Sequence, residues 1–502
     1  MQLRQPLYLP PSSWRVFLFF LLFSLRAYFL PAQQRGELIA DSLYFDYSLD
    51  QVDSLYQRLG LIPALAPIEY PIKVYRLVYY TPAPRGDSLT RASGLMFVPQ
   101  DSCQWPVFSY QHGTNYYGSA PSELGLEWQL GVPFATGGYL VSMPDFVGFG
   151  ATPKSVGHPY LHAKTEASAS IDMLRAVRQW IAQQGRSLSD QLFLGGYSQG
   201  GHATIATQRS MEQDFPQEFA ITAVAAGGGP YDLERTLTDY ILTDSSRADA
   251  FFVAYTMMAY QQVYGNLWQD PSEAFVAPYD SIVPRYFDPL APTPGPLPDT
   301  ALNMLQPAYA AAVRQDSLHP ARVALRENNL YAWAPQAPTR LSYCSADELV
   351  PFWNSLIARD SFLARGAPQV EALDLDPNAG HSACAFPMVF NTKFYFDNLK
   401  DSCVIDSFRQ TSSLALAEGN SLRVYPQPAR GEVFLEQNGR AWSGEKLTWQ
   451  VVDLTGRVQQ GGHLQPTGER LRLSLPALST GLYCLILTQG QTQWQHSLYI
   501  LP

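Results

Sequence analysis

The chain has 502 residues, of which 46% are hydrophobic, 13% aromatic and 16% charged. A chain this hydrophobic buries a large core, so the composition excludes a mostly disordered protein. The formal net charge of -10 comes from charges spread without long runs. Such an acidic surface does not attract a phosphate backbone, which argues against nucleic-acid binding.

The first 32 residues have the pattern of a signal peptide. Arg4 and Arg15 precede an apolar run over residues 16–25, and Ala32 follows as a small residue suited to cleavage. The run is too short to cross a hydrocarbon core of roughly 30 Å. It therefore predicts a cleaved export signal, with an uncleaved membrane anchor as the alternative. We expect no stable transmembrane span after processing.

Strands and helices alternate along the next part of the chain, judged by the spacing of apolar residues. The predicted elements are strands at 72–80, 92–99, 106–110, 138–144, 192–197, 221–226 and 339–344, and a helix at 169–181. Strands that alternate with helices form a parallel sheet through right-handed crossovers. We predict an α/β domain over residues 33–412. Residues 33–70 form a mixed leader, in which Leu55, Leu59 and Leu61 have helical spacing.

Two segments depart from this alternation. Residues 231–336 contain an apolar helical stretch at 248–264, and an insertion of this length between sheet strands predicts a cap over an active site. Its aromatic and methionine side chains form either a substrate pocket or the core of the cap itself. They are Phe251, Phe252, Tyr255, Met257, Met258 and Tyr260. Residues 413–502 have short strands separated by turns, which predicts a small all-β sandwich.

Gly196, Ser198 and Gly200 form a G-x-S-x-G motif between a predicted strand and a predicted helix. This setting is typical of a nucleophile elbow, in which small neighbours allow the strained turn that exposes the serine hydroxyl. The backbone N–H of Gln199 is then one donor to the oxyanion. The second donor is expected from Gly113 or Thr114, and the sequence does not choose between them.

A serine nucleophile needs a base and an acid, which follow it in this order in α/β-hydrolases. Asp347 follows a predicted strand, and His381 lies in a predicted loop of small residues. The order Ser198, Asp347, His381 predicts a triad in which His381 moves the proton and Asp347 orients the ring. Glu348 is the rival acid, which we interpret as a solvated neighbour. We interpret the other histidines as structural: His112, His158, His162, His202, His319, His463 and His496.

Five cysteines allow at most two disulfide bonds, and a bridge between Cys384 and Cys403 is one possibility. The chain has no Cys-x-x-Cys or His-rich pair, so we expect no metal site.

Asp145, at the end of another predicted strand, is expected to order its loop rather than to act in catalysis.

Taken together, the motifs of residues 70–400 resemble those of the secretory lipase family of α/β-hydrolases, which includes fungal lipases of the A type. The motifs are Gln111-His112-Gly113-Thr114, 144–150, His158-Pro159-Tyr160, 196–201, 347–351 and Gly380-His381. The resemblance implies an α/β-hydrolase fold with a mostly helical cap. It also implies hydrolysis of carboxylic esters by Ser198, Asp347 and His381, without a cofactor.

The tail is similar to the C-terminal sorting domain of the type IX secretion system. Its matching motifs are residues 424–429, 453–457 and 478–483, with Gln427 where an asparagine is usual. The similarity implies export through the periplasm, handling by the type IX secretion machinery, and release or attachment at the cell surface. A carbohydrate-binding β sandwich is the alternative for this tail.

Two other functions stay open for the α/β domain. One is a serine peptidase on the same fold, although residues 33–100 are too few for the propeller that prolyl-type peptidases carry. The other is a catalytically inactive hydrolase homologue that binds at a surface. The intact order of the triad argues against that second function.

Overall fold

The computed structural model describes most of the chain after the predicted export signal. The described residues are 33–61, 63, 66–115, 118–243, 250–288, 295–401, 404–405, 422–425, 429–437, 442, 444–453, 457–466, 468, 470–475, 478, 481–490 and 492–500. The predicted signal peptide, Cys403 and the predicted domain boundary at 412/413 lie outside these residues.

Within the described part of the chain, residues 38–405 contain one mixed sheet of ten strands. The strands are β1 (Leu38–Tyr47), β2 (Ile72–Pro82), β3 (Leu89–Pro99), β4 (Cys103–Gln111), β5 (Leu140–Pro144), β6 (Leu188–Tyr197), β7 (Ala223–Gly227), β8 (Thr339–Tyr343), β9 (Val370–Asp374) and β10 (Val404–Ile405). The order is β1-β2-β3-β5-β4-β6-β7-β8-β9, and β10 pairs with the start of β4. The run from β5 to β9 is parallel, as the alternation predicts.

Helices cover both faces of this sheet. They are α1 (Leu49–Leu59), α2 (Gly131–Thr136), α3 (Ala163–Gln183), α4 (Gln199–Asp214), α5 (Leu233–Arg235), α6 (Ala250–Tyr264), α7 (Tyr279–Tyr286), α8 (Pro307–Gln315), α9 (Pro320–Glu327), α10 (Trp353–Ala364) and α11 (His381–Asp397). Along β6, Leu192 and Leu194 join the core on one face and Phe193 joins the core on the other. Both faces of the strand are buried, which explains its continuous apolar run.

Of the strands in this sheet, the sequence does not predict β9, β10 or β1, and β1 is the longest of these. It pairs antiparallel with β2 at the edge of the sheet, and most of its side chains are half-buried or exposed. An edge strand of this kind has no clear alternation of apolar and polar residues, so its pattern gives little signal. The helical spacing that we noted after it is confirmed by α1.

The segment between β7 and β8 is mostly helical, as predicted for a cap. Its apolar side chains form a core of their own, which also includes Tyr160 and Leu161 from the loop before α3. The exact bounds 231–336 stay a prediction. Among the residues described here, no helix is both long enough and apolar enough to cross a membrane.

The described part of the tail forms two antiparallel sheets that share one apolar core. Its strands are β11 (Leu422–Tyr425), β12 (Glu432–Gln437), β13 (Leu447–Val452), β14 (Val458–Leu464), β15 (Arg470–Ser474), β16 (Gly481–Gln489) and β17 (Thr492–Ile500). One sheet has the order β11-β12-β15 and the other β14-β13-β16-β17. Two facing sheets around one core agree with the predicted β sandwich.

Truncation of Leu194 tests the central position of β6. Leu194 is fully buried, so Leu194→Ala is expected to lower the free energy of unfolding by about 2–5 kcal/mol, since it leaves a cavity. Leu318 is 77% exposed, and Leu318→Ala is expected to change this free energy by less than about 0.5 kcal/mol. Urea unfolding followed by circular dichroism measures both variants. Equal unfolding midpoints for the two would contradict the placement of β6.

Candidate active site

Ser198 lies in the tight turn between β6 and α4. Its backbone has φ 61° and ψ -122°, a conformation that a non-glycine residue adopts only under strain. A Cβ atom at Gly196 or Gly200 would collide with the carbonyl oxygen of Gln111, at the end of β4. The two glycines of the motif therefore allow β4 and α4 to approach closely enough to form the turn.

The structure brings Ser198, Asp347 and His381 together. Nε2 of His381 lies 2.8 Å from Oγ of Ser198, and Nδ1 lies 2.7 Å from Oδ2 of Asp347. The second carboxylate oxygen of Asp347 accepts the backbone N–H groups of Leu349 and Val350, at 3.0 and 2.8 Å. These two donors fix the carboxylate, so that it holds the imidazole in one orientation.

His381 is the first residue of α11 and does not lie in the loop that the sequence predicts. The residue before it, Gly380, has no side chain to cap the helix. Glu348 supplies the missing acceptor, because its Oε2 accepts the backbone N–H of His381 at 3.0 Å. Our interpretation of Glu348 as only a solvated neighbour is therefore incomplete. Its side chain is exposed, yet it anchors the end of the helix that carries the imidazole.

A disulfide bond joins the same two segments. Cys344 follows β8 directly, Cys384 lies in the first turn of α11, and the two are bonded to each other. The possible Cys384–Cys403 bridge is thus wrong, because the end of β8 and the start of α11 meet at the site.

Cys103 is also disulfide-bonded, and Cys484 is buried in the tail, where burial raises the pKa of its thiol to about 12.

Tyr197, the variable residue before the nucleophile, also holds the histidine segment. Its hydroxyl donates to the backbone carbonyl of His381 at 2.7 Å, and the two rings lie 5.0 Å apart. Burial raises the pKa of Tyr197 well above its usual value, so the hydroxyl stays protonated and can donate. Sequence reasoning treated this position as free within the motif.

A buried polar network holds side chains at the start of α4, directly after Ser198. The carboxylate of Glu166, on α3, lies 2.7 Å from Nδ1 of His202 and accepts the side-chain amide of Gln199 at 2.9 Å. The same amide lies 2.8 Å from Nε2 of His158. Burial lowers the pKa of His158 to about 3, which keeps this ring neutral. His158 and His202 are structural in this arrangement, while Glu166 was not singled out in the sequence.

The candidate oxyanion donors differ in their surroundings. Gln199 is the first residue of α4, where helical N–H groups have no partner within the helix. The N–H of Gly113 donates to Oε2 of Glu127 at 2.8 Å and is therefore engaged. The N–H of Thr114 makes no hydrogen bond to any residue that the structure describes. Of the two candidates after β4, Thr114 therefore has the available donor.

Asp145 orders its surroundings, as expected. It is buried, and its carboxylate accepts the hydroxyl of Ser93 at 2.6 Å and the backbone N–H of Ser122 at 2.7 Å. Its backbone carbonyl lies 3.1 Å from Nε2 of His112. These contacts tie the loop after β5 to the segment that follows β4.

An apolar cavity extends from Ser198 and His381 into the cap. Phe252, Met257 and Tyr260 of α6 line it. Other aromatic residues of α6, such as Phe251 and Tyr255, pack within the core of the cap. Met257 and Tyr260 belong to this core as well as to the cavity wall, so the two alternatives for the cap side chains both stay open.

Comparisons with known families agree with both resemblances. Residues 120–267 match the model of the secretory lipase family, and residues 423–501 match the secretion system C-terminal sorting domain. Both resemblances are confirmed. The matches support an ester hydrolase that is secreted or held at the cell surface. No protein with a curated description matches the chain.

Several solved structures have a fold similar to that of this chain. The rice cell wall degrading esterase LipA from Xanthomonas oryzae is 28% identical, with a TM-score of 0.65, and the match covers 74% of this chain and 100% of that one. A protein from Legionella pneumophila is 26% identical at a TM-score of 0.65, covering 72% and 98%. Candida antarctica lipase A, at 16% identity and a TM-score of 0.54, covers 74% and 85% and shows the fold alone. The predicted α/β-hydrolase fold is confirmed.

Removal of the Cys344–Cys384 bond tests its contribution to the site. The cysteines are 40 residues apart, so the double variant Cys344→Ala/Cys384→Ala is expected to lose about 3–4 kcal/mol of unfolding free energy. Its rate of ester hydrolysis is expected to fall as well, even at temperatures where it is folded. Thermal unfolding and ester assays at 20 °C measure the two effects.

The control for this variant is Cys484→Ala, which removes a buried thiol in the tail. It is expected to leave the rate of hydrolysis unchanged. A folded double variant with the full rate of the parent would contradict a role for the bond in aligning the site.

Proposed function

We propose that the protein is an exported serine esterase that cleaves carboxylic esters through an acyl-enzyme. The observation that carries the proposal is the chain of contacts from Ser198 through His381 to Asp347 at one end of an apolar cavity. The family match and the esterase named among the similar structures support the same reaction.

In the first step, Oγ of Ser198 attacks the ester carbonyl carbon while Nε2 of His381 takes the hydroxyl proton. Asp347 stabilises the imidazolium that forms. The negative charge on the carbonyl oxygen is bound by the N–H groups of Gln199 and Thr114. The tetrahedral intermediate then breaks its bond to the alcohol oxygen, which leaves with the proton from His381. The acyl group stays on Ser198.

In the second step, a water molecule replaces the alcohol. His381 takes one proton from the water as its oxygen attacks the acyl carbon, and the same two N–H groups bind the new oxyanion. Collapse of this intermediate returns the proton to Oγ of Ser198 and releases the carboxylic acid. The sequence of steps consumes one ester and one water, and it needs no cofactor.

The cavity supports an apolar acyl group as the bound part of the substrate. Leu237, Phe252, Met257 and Leu305 contribute only hydrocarbon or thioether surface to its wall. Burial of each methylene against such a wall contributes about 0.8 kcal/mol. We therefore propose that hydrolysis becomes more efficient as the acyl chain lengthens, until the cavity is filled.

We also propose the domain organisation that the sequence predicts. Residues 1–32 act as the export signal, and residues 33–412 form the catalytic domain with the cap at 231–336. Residues 413–502 form the sorting domain that the type IX secretion machinery handles.

Replacement of the nucleophile tests the function directly. Ser198→Ala is expected to lower kcat on p-nitrophenyl esters by about 10⁴-fold or more, because no acyl-enzyme can form. A series from acetate to palmitate, assayed with the parent protein, measures the preferred chain length. Ser210→Ala, twelve residues farther along α4, is the control and is expected to retain full activity. Equal rates for Ser198→Ala and the parent would exclude Ser198. A parent that cleaves peptides but no ester would favour the peptidase alternative.

The identity of the acid is tested by two neighbouring substitutions. Asp347→Asn is expected to lower kcat by about 10⁴-fold, because an amide stabilises the wrong imidazole tautomer. Glu348→Gln keeps an oxygen that can accept the N–H of His381, so a loss below about tenfold is expected. Rates on p-nitrophenyl butyrate measure both. A larger loss for Glu348→Gln than for Asp347→Asn would make Glu348 the acid.

A further inference from the structure

Glu127 is a carboxylate next to the loop that follows β4, which we call the oxyanion loop (residues 112–115). It lies in the short 3-10 helix Leu126–Leu130, and its Oε2 accepts the N–H of Gly113 at 2.8 Å. The hydroxyl of Tyr110, in β4, donates to the same oxygen at 3.4 Å. Glu127 is therefore bound to both the strand and the loop that it leads into.

The contact with Glu127 fixes one side of Gly113, and His112 fixes the other. The carbonyl oxygen of Gly113 lies 2.6 Å from Nδ1 of His112. A trans peptide is planar, so its C=O and its N–H point in opposite directions. With the Gly113 carbonyl directed at His112, the N–H of Thr114 is directed away from His112. The loop is thus held in one conformation by the two side chains.

Thr114 is next to the cavity that contains Ser198. Its Oγ1 lies 2.8 Å from the hydroxyl of Tyr160, and Tyr160 lines that cavity together with Ser198 and Gln199. The N–H of Thr114 has no other acceptor among the described residues, as noted above. A substrate oxyanion bound here would accept a hydrogen bond from this N–H group.

A carboxylate so near an oxyanion site opposes catalysis through its charge, since negative charge develops there in the transition state. Its presence is explained if its hydrogen bonds to the loop contribute more than its charge costs. Burial raises the pKa of the Glu127 carboxyl, and His112, the Gly113 N–H and Tyr110 oppose that rise. The side chain is half-buried, so the protein replaces part of its hydration.

We propose that Glu127 is a positioning residue for ester hydrolysis. By accepting the N–H of Gly113, it removes that group as a donor and holds the oxyanion loop so that the N–H of Thr114 pairs with that of Gln199. The inference rests on the proposed function, because it concerns how the same site stabilises its oxyanion. Glu127 is not among the residues that line the cavity beside Ser198.

Truncation of Glu127 tests the inference. Glu127→Ala is expected to lower kcat on p-nitrophenyl butyrate by about 100-fold, the effect of losing one oxyanion donor, while KM changes less than about threefold. Glu127→Gln keeps one oxygen for the Gly113 N–H, so a smaller loss of about tenfold is expected. Glu127→Gln also preserves the size of the side chain, and it is the decisive variant if Glu127→Ala does not fold.

A second measurement separates positioning from general damage. An aliphatic trifluoromethyl ketone forms a hemiketal when Oγ of Ser198 adds to its carbonyl carbon and His381 takes the proton, which places an oxyanion in the same site. Its affinity is expected to fall by the same factor as kcat/KM in each Glu127 variant. Inhibition by an alcohol of the same chain length, which forms no oxyanion, is expected to stay unchanged.

The control is Glu123→Gln, which alters an exposed carboxylate four residues earlier. Its oxygen accepts the N–H of Ala120 and has no bond to the oxyanion loop, so kcat and ketone affinity are expected to stay within about twofold. Glu127 variants that behave like this control would overturn the inference but would leave the proposed function intact. So would a reduced kcat with unchanged ketone affinity. A parent protein that neither hydrolyses esters nor binds the ketone would overturn the proposed function, and the inference with it.

Discussion

The site depends on how closely the end of β4 approaches the start of α4. The carbonyl oxygen of Gln111 occupies the space where a side chain at Gly196 or Gly200 would lie. This approach forces the positive φ of Ser198 and lifts its hydroxyl out of the sheet. It also places the oxyanion loop beside the N–H of Gln199. One steric constraint thus sets the positions of the nucleophile and of both proposed donors.

The residues of the site are held in place by hydrogen bonds from neighbouring groups that take no part in the reaction. Glu166 and His158 hold the side chain of Gln199 from within the core. Glu348 and Tyr197 hold the backbone of His381 by its N–H and its carbonyl, respectively. Such a supporting shell keeps reacting atoms within hydrogen-bond distance before any substrate arrives. It is built from buried or partly buried contacts between segments that are far apart in the chain.

The sequence separation between contacting residues explains which parts of the fold and the site the sequence predicts. The strands, the elbow and the order of Ser198, Asp347 and His381 are visible because each depends on a local pattern or on simple order. Glu127, Glu166 and the Cys344–Cys384 pair carry no such pattern, since their partners are 14, 33 and 40 residues away. Strand β1 lacked a signal for a different reason, as its edge position leaves most of its side chains without a buried face.

The bond between Cys344 and Cys384 has a consequence for how the site moves. Together with the Asp347–His381 contact and the anchor at Glu348, it joins acid and imidazole into a single body. The nucleophile and its glycine-packed turn belong to a second body, built on β4, β6 and α4. The hydrogen bond from Tyr197 to the carbonyl of His381 connects the two bodies, so a change in the separation of Nε2 and Oγ also strains that bond. A distance probe between the two bodies would report the alignment of Ser198 with His381.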